Sequence, residues 1–339
     1  MARSELTIDL GALRHNVRRL LRELDGAELW AVLKGDAYGH GALDCARAAL
    51  EAGASALCVA TVGEGLALRP SHPEVRIVVL GPAAAHDVPA AREARLELVV
   101  STVAIPERIA VHVKLDTGMG RWGVAELGAP SRSVVGLMTH LATADTDLAF
   151  AQVQIDRFRE ATEPYAHLVR HVANSAAVLR LPGSRFDAAR CGIALYGLSP
   201  FGGDAAADGL APVLAWRSEV SLARRLRAGE STGYGRRFVA AADTWIGIVP
   251  VGYADGFRRD LTGTEVLVDG ARRRVVGTIS MDAFAVELDG EVDPGTPVTI
   301  VGDGVALEEH ARVAGTITYE LACGIDSSPE RSRRLVREA

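Results

Sequence analysis

Short runs of consecutive apolar residues recur through the first two thirds of the chain. Continuous rather than alternating hydrophobicity is typical of parallel strands that are buried on both faces. Ala-rich segments with helical character, such as 41–52 and 152–163, separate several of these runs. The pattern predicts an α/β fold, a (β/α)8 barrel of the TIM type. Its candidate strands are 30–34, 56–60, 77–80, 96–100, 111–116, 134–140, 171–175 and 186–190.

Two connections between these strands are short. Little room for a helix remains between residues 100 and 111, or between residues 124 and 134. Because a full βα unit needs a helix in each crossover, we expect these two helices to be clipped or missing.

After about residue 208 the hydrophobic pattern changes to alternation, as in 264–268 and 283–287. Turn dipeptides follow at 269–270, 289–290 and 294–295. Alternation with Gly-containing turns predicts a separate, mostly antiparallel β domain.

We therefore expect a barrel domain over 9–208 and a β domain over 209–339, with residues 1–8 packing on the β domain. The small-residue stretch 202–209 is the candidate linker, although its composition equally suits a surface loop.

Composition narrows the function classes. The net charge is −6, and no long run of Lys or Arg suggests a nucleic acid or a membrane surface as partner. The four cysteines form no CxxC pair and lack the spacing of a structural zinc site, so no metal is expected. The N-terminus lacks a signal-peptide core, and no stretch is apolar enough to span a membrane. These features predict a cytoplasmic protein with reduced thiols.

Lys34 closes the first apolar run. Functional side chains of a βα barrel lie at the carboxyl ends of its strands. A lysine that ends a buried strand is costly to desolvate, and a desolvated amine is a nucleophile toward aldehydes. Taken alone, Lys34 could equally be a lysine that extends its amine to solvent from a strand end.

The segment around Lys34, 31–41 (AVLKGDAYGHG), closely resembles the attachment motif for pyridoxal 5'-phosphate (PLP) in alanine racemases. The resemblance continues, in order, through 114–121, 139–145, 171–175, 190–197, 233–235, 252–256 and 280–282. It implies a PLP-binding barrel with a β domain and Lys34 as the Schiff-base lysine. It also implies a head-to-tail homodimer with shared active sites.

Phosphate binding is indicated both by position and by the resemblance. Ser175 closes the seventh run, and Gly192 and Ile193 follow the eighth, where barrels commonly bind a phosphate. The resemblance assigns these three residues to the PLP phosphate, together with Tyr38 and Tyr319. Without it, a serine or glycine here would be an ordinary turn residue.

Arg190 ends the eighth run, and the resemblance implies that it faces the pyridine nitrogen of PLP. An arginine stays charged and can only donate, so that nitrogen should remain unprotonated. We infer that this limits transamination while still allowing a proton to return to Cα. The alternative is an arginine that forms a surface salt bridge at a strand end.

Racemisation needs one base on each face of the substrate. Lys34 supplies one, and the resemblance implies that Tyr234 of the partner subunit supplies the other. The phenol of a tyrosine is a poor base near neutral pH unless its neighbours lower its pKa. His140, which closes the sixth run, is implied to link Tyr234 to Arg190. From the sequence alone, Tyr234 could be a turn aromatic and His140 a core residue.

Arg121 can form the two-pronged contact that a substrate carboxylate needs, and the resemblance adds the backbone amide of Met281. Lys114 matches a lysine that is carbamylated in several family members. Asp145, Tyr253 and Arg259 match the entry corridor, where Tyr319 at the inner gate favours alanine over serine. Two departures, Thr278 in place of an arginine and Ser280 in place of a cysteine, should alter entry rather than chemistry.

The function implied is racemisation of L- and D-alanine, which supplies D-alanine for peptidoglycan. The alternatives are a racemase of another small amino acid such as serine, a non-catalytic PLP-binding protein, or a barrel-type decarboxylase. Carriers lack the β domain, and decarboxylases have an acidic residue at the pyridine nitrogen and a cysteine near Cα.

Overall fold

The computed structural model describes residues 3–102, 104–129 and 131–338. The chain divides into two units, one formed by Ala12–Ala211 and one by Met1–Gly11 with Pro212–Ala339. The first strand, β1 (Glu5–Asp9), belongs to the second unit. The candidate linker 202–209 lies within the first unit and includes a short 3-10 helix, Ala205–Asp208.

Eight parallel strands of the first unit close into a barrel, which confirms the predicted fold class. Strands such as Ala56–Val59 and Ala188–Cys191 are buried at every position, which explains their unbroken apolar runs. The strands are β2 (Glu28–Val32), β3 (Ala56–Val59), β4 (Arg76–Val79), β5 (Glu97–Val100), β6 (Val111–Lys114), β7 (Val134–Met138), β8 (Val169–His171) and β9 (Ala188–Cys191).

Helices alternate with most of these strands. In the first helix, Leu13, Val17, Leu20 and Leu24 lie three or four residues apart and are buried, so one face packs inward. The helices are α1 (Leu10–Leu24), α2 (Lys34–Gly39), α3 (Ala42–Glu51), α4 (Val62–Leu68), α5 (Val88–Glu93), α6 (Leu148–Thr162) and α7 (Ser175–Arg180). As expected, the described residues between β5 and β6 and between β6 and β7 contain no helix.

The second unit is built on a mostly antiparallel sheet of nine strands, namely β1 with β10 (Leu214–Glu219), β11 (Leu222–Leu226), β14 (Thr244–Val249), β15 (Glu265–Val268), β16 (Ala271–Val276), β17 (Phe284–Leu288), β18 (Pro297–Val301) and β19 (Arg333–Arg337). Only the contact of β1 with β19 is parallel. The strand order in this sheet is β11-β14-β17-β16-β15-β18-β10-β1-β19, and two short strands, β12 (Ser231–Thr232) and β13 (Phe238–Val239), form a separate two-stranded sheet.

Alternation in this sheet reflects one buried and one exposed face, as along β10. Asp269 and Gly270 both have positive φ, which is the requirement of a tight turn between β15 and β16. Two helices follow the sheet, α8 (Leu307–Ala314) and α9 (Thr318–Gly324). Among the described residues, no helix has the length and apolar character to cross a membrane.

Candidate active site

Lys34 lies at the barrel mouth, but not where the apolar run suggests. Strand β2 ends at Val32, and the exposed Lys34 begins α2. The expectation of a buried lysine at a strand end was therefore wrong, because the strand ladder stops two residues earlier. The amine still lies close to the expected cofactor residues, with Nζ 5.9 Å from the centre of the Tyr38 ring.

The backbone after Lys34 forms a left-handed turn. Gly35, Asp36, Ala37 and Tyr38 have φ between 50° and 63°. Left-handed helical geometry costs a residue with a side chain roughly 1–2 kcal/mol, and three of these four residues have one. Strain of this kind persists only where the surroundings enforce it, and it concentrates at functional sites.

Two carboxylates that the sequence pattern did not single out hold this turn. Glu64 accepts hydrogen bonds from the amides of Gly35 (2.8 Å), Ala60 (2.6 Å) and Thr61 (3.1 Å). Asp36 accepts from the amide of Ala42 at 2.7 Å. The only sequence signal for Glu64 was its place three residues after Thr61, which marks a capping box.

Tyr38, Ser175 and Gly192 converge on one point beside Lys34. The Ser175 hydroxyl accepts from the amides of Gly192 (3.0 Å) and Ala194 (3.4 Å). A Cβ on Gly192 would lie 2.5 Å from the Tyr38 hydroxyl, so only glycine lets this hydroxyl lie so close to the backbone. Ser175 begins α7 rather than ending β8, since that strand stops at His171. Ile193 follows Gly192 and opens the 3-10 helix Ile193–Tyr196.

Arg190 lies inside the barrel on β9 and is 4% exposed. One terminal nitrogen donates to Nδ1 (2.8 Å) and the carbonyl (2.7 Å) of His171. The other donates to the carbonyls of Thr139 (2.9 Å) and Val172 (3.2 Å). Burial lowers the pKa of Arg190 to about 10, so the guanidinium stays charged at neutral pH. The alternative of a surface salt bridge is thereby excluded.

His140 adjoins this guanidinium, with Nδ1 3.4 Å from Arg190. It lies two residues beyond the end of β7 rather than within the strand. Burial, followed by the charges of Arg190 and Lys114, lowers the pKa of His140 to about 3. The imidazole is therefore neutral at physiological pH. It can accept a hydrogen bond on one ring nitrogen and donate one from the other.

Lys114 and Arg121 meet over one aromatic ring. The Lys114 amine lies 5.7 Å and the Arg121 guanidinium 5.1 Å from the centre of the Trp122 ring. Burial, followed by the charges of Arg121 and Arg190, lowers the pKa of Lys114 to about 8. Positively charged side chains therefore lie close together at the barrel mouth, and this arrangement favours binding of an anionic ligand.

The chain between Lys114 and Arg121 is held by Asp116, which the sequence pattern also left without a role. Its carboxylate accepts from the amides of Gly118 (3.0 Å), Met119 (2.8 Å) and Gly120 (3.0 Å). Asp145, an entry-corridor candidate, is exposed on the connection between β7 and α6.

The other candidates lie in the second unit. Tyr234 is 73% exposed, and its carbonyl accepts from the Thr278 hydroxyl at 2.8 Å. Met281 is 51% exposed, and its carbonyl accepts from the Ala254 amide at 3.0 Å. Three further candidates of the cofactor site and the corridor belong to this unit, namely the exposed Tyr253 and Arg259 and the half-buried Tyr319.

Two protein-family models match the chain, and their boundaries agree with the two structural units. Residues 8–200 match the family model of the alanine racemase N-terminal domain, and residues 213–333 match that of the C-terminal domain. Alanine racemase 1 of Bacillus subtilis is 40% identical over 96% of this chain and 91% of its own length.

Solved structures agree. Alanine racemase from a D-cycloserine-producing Streptomyces lavendulae superposes with a TM-score of 0.92 at 34% identity, covering 99% of this chain and 97% of that one. Alanine racemase from Streptomyces coelicolor superposes with a TM-score of 0.90 at 38% identity, covering 99% and 98%. Both domain models together span nearly the whole sequence, and the chain belongs to the alanine racemase family.

Proposed function

We propose that this chain interconverts L-alanine and D-alanine with PLP attached to Lys34, and so supplies D-alanine for peptidoglycan. The observation that carries the proposal is the buried guanidinium of Arg190 on β9, held on both terminal nitrogens inside the barrel. A barrel-type decarboxylase would need an acidic residue there, and a non-catalytic carrier would lack the nine-stranded unit.

The residues present fit PLP. The hydroxyls of Tyr38 and Ser175 lie beside the backbone of Gly192 and form a cradle of polar groups suited to a phosphate. Tyr38, Ser175, Gly192 and Ile193 would hold the phosphate, with Tyr319 as a further ligand. Lys34 would hold the aldehyde carbon. When bound, PLP supplies an electron-withdrawing ring that stabilises negative charge on the substrate Cα.

Arg190 would face the pyridine nitrogen. Because its terminal N–H groups already donate within the barrel, Nε–H is the donor that remains for a ring nitrogen. A guanidinium donates a hydrogen bond but keeps its proton at neutral pH. By donating without giving up its proton, Arg190 would leave the ring nitrogen unprotonated, which favours return of the proton to Cα over transamination.

Proton transfer would use two bases on opposite faces of Cα. Lys34 takes or returns the proton on one face, and the partner subunit's Tyr234 does so on the other. The high exposure of the Tyr234 side chain supports a role toward a second subunit in a homodimer. His140 would connect the phenol to Arg190, whose positive charge favours the phenolate.

The substrate carboxylate would bind to Arg121 and the amide of Met281. Lys114 would be carbamylated: its neutral amine adds to CO2, forms an N–C bond and releases a proton. The resulting carbamate turns a cation beside Arg121 into an acceptor that can orient the guanidinium. Asp145, Tyr253 and Arg259 would line the route of entry, with Tyr319 restricting it to small amino acids.

The test is to incubate the purified protein and PLP with L-alanine in deuterated water, and to follow optical rotation and exchange at Cα. L-serine and L-lysine run in parallel. We expect both signals for alanine, with weaker signals for serine and lysine. Absence of both signals for alanine would contradict the proposal, and faster turnover of serine would favour the serine racemase alternative.

A further inference from the structure

A chain of polar side chains crosses the barrel interior from the partly buried Glu97 to the buried Arg190. Glu97, the first residue of β5, lies 2.7 Å from Nε2 of His112 on β6. Nδ1 of His112 lies 2.9 Å from Nε2 of His171 on β8. Nδ1 of His171 lies 2.8 Å from Arg190 on β9. Both histidines are fully buried, so the contacts between the two rings and with Arg190 are shielded from water, whereas Glu97 at the far end is partly exposed.

The direction of these hydrogen bonds follows from Arg190. A guanidinium can only donate, so Nδ1 of His171 must accept. A neutral imidazole has one donor and one acceptor nitrogen, so Nε2 of His171 carries the proton and donates to Nδ1 of His112. Nε2 of His112 then carries the proton and donates to the Glu97 carboxylate. Both rings are therefore neutral, in the same tautomer.

The electrostatics supports a neutral His171 next to Arg190 and an ionised Glu97 at the other end of the chain. Burial, followed by the charge of Arg190, holds the pKa of His171 well below its usual value. Burial raises the pKa of Glu97, but its contacts with His112 and Arg76 together outweigh burial, so the net pKa is lowered and the carboxylate is an ionised acceptor. Arg76 is 3.2 Å from Glu97 and also approaches Glu28 at 3.7 Å. The chain thus joins an ionised carboxylate to the buried guanidinium through two neutral rings.

The barrel is shaped around the two rings. A Cβ on Gly136 would lie 2.1 Å from Nδ1 of His112, so this strand position must be glycine for the ring to fit. The Trp30 ring packs against both imidazoles, at 5.6 Å from His112 and 4.5 Å from His171. The rings are therefore held from the side as well as at their nitrogens.

We propose that Glu97 is a positioning residue for Arg190, acting through a one-directional hydrogen-bond chain of His112 and His171. As the final acceptor, Glu97 keeps the proton of His112 on Nε2. If that acceptor is lost, the His112 proton moves to Nδ1 and donates to Nε2 of His171. The His171 proton must then lie on Nδ1, where it faces an N–H group of Arg190. Two donors cannot share that position, so the guanidinium shifts. The kinetic part of this inference rests on the proposed racemase function, whereas the tautomers do not.

The experiment is ¹⁵N NMR of histidine-labelled holoenzyme, with the two signals assigned by single substitutions. We expect the wild type to have His112 and His171 in the neutral Nε2–H tautomer, as the direction of the hydrogen bonds requires. A doubly protonated His112, or an Nδ1–H tautomer for either ring, would overturn the proposal. This measurement needs no substrate and no variant at Glu97.

Variants then test Glu97 itself. Glu97→Gln keeps an acceptor oxygen and should retain both tautomers, whereas Glu97→Leu removes it and should move the His112 proton to Nδ1. In Glu97→Leu we expect kcat to fall by about tenfold or more with KM little changed, because a hydrogen bond to a charged group is lost away from the substrate. Glu74→Leu is the matched control, since Glu74 pairs with Arg95 on the barrel surface.

The outcomes separate the two claims. Unchanged tautomers and kcat in Glu97→Leu would overturn the positioning role, as would a rise in KM with kcat unchanged. If the wild type has the expected tautomers but no racemisation, the proposed function fails and the hydrogen-bond chain stands. If Glu97→Leu does not fold, the wild-type and Glu97→Gln tautomers still decide the direction of the chain.

Discussion

The Lys114 amine lies 5.7 Å from the centre of the Trp122 ring, where burial, followed by the charges of nearby cations, lowers its pKa to about 8. Only the neutral amine reacts with CO2, so the carbamate should form more readily as the pH rises toward and past 8. At constant dissolved CO2 we expect the carbamylated fraction to rise from about pH 6 and to level off near about pH 9, whereas an ordinary lysine would still be mostly protonated there.

Native mass spectrometry measures the carbamate as a mass increase that disappears in CO2-free buffer. Lys114→Arg keeps the positive charge but cannot form a carbamate, so its mass should not respond to CO2. An equal, CO2-dependent increase in Lys114→Arg would contradict the assignment.

The chain has only two lysines, Lys34 and Lys114, which makes cofactor attachment simple to test. We expect borohydride reduction of the PLP-loaded protein to label the peptide that contains Lys34, because that amine adjoins Tyr38 at the cradle. Lys34→Ala should lose both the label and the visible absorbance of attached PLP. Peptide mapping identifies the site, with Lys114→Arg as the control that should retain the label. A reducible adduct that persists in Lys34→Ala would rule out this attachment site.

The barrel could be predicted because parallel strands buried on both faces leave continuous apolar runs. The run through Ala56–Val59 coincides with β3 for this reason. The residue at which a strand ends is harder to predict from the sequence, because apolar residues continue after the last strand hydrogen bond. Lys34 therefore follows β2 by two residues and is exposed, although the run suggested a buried lysine.

The candidate residues were identified by their motifs, whereas the residues that support them were not. Glu64 holds the turn after Lys34 from 29 positions away along the chain, and no local pattern indicates such a contact. Glu97, His112 and His171 likewise meet only because their strands are curved into a closed barrel. Long-range contacts of this kind depend on strand register, which hydrophobic periodicity does not specify.

Tyr234 is predicted to be the base on the second face of the substrate. In Tyr234→Phe the hydroxyl is lost while the Thr278 bond to the backbone carbonyl can remain, so the loop should keep its conformation. We expect racemisation to fall by about 10²–10⁴-fold, the usual contribution of a general base. Lys34 alone should still exchange the Cα proton of one alanine enantiomer in deuterated water.

The measurement is Cα exchange of each enantiomer by proton NMR alongside optical rotation, with Tyr165→Phe in the barrel as control. Loss of exchange for both enantiomers together would argue against a role on one face. Full racemisation by Tyr234→Phe would exclude the phenol as a base.

Glu64 is predicted to stabilise the strained turn that presents Lys34 and Tyr38. One carboxylate oxygen accepts from the Gly35 amide and the other from the amides of Ala60 and Thr61. In Glu64→Gln one oxygen becomes an NH2 group. This group is a donor, and it would face a backbone N–H that is also a donor. We expect a loss of about 1–3 kcal/mol in the free energy of unfolding and weaker PLP binding, since an amide loses its acceptor. Chemical denaturation and PLP titration measure the two effects, with the exposed Glu93→Gln as control. If stability and PLP affinity both match the control, other contacts must hold the left-handed turn.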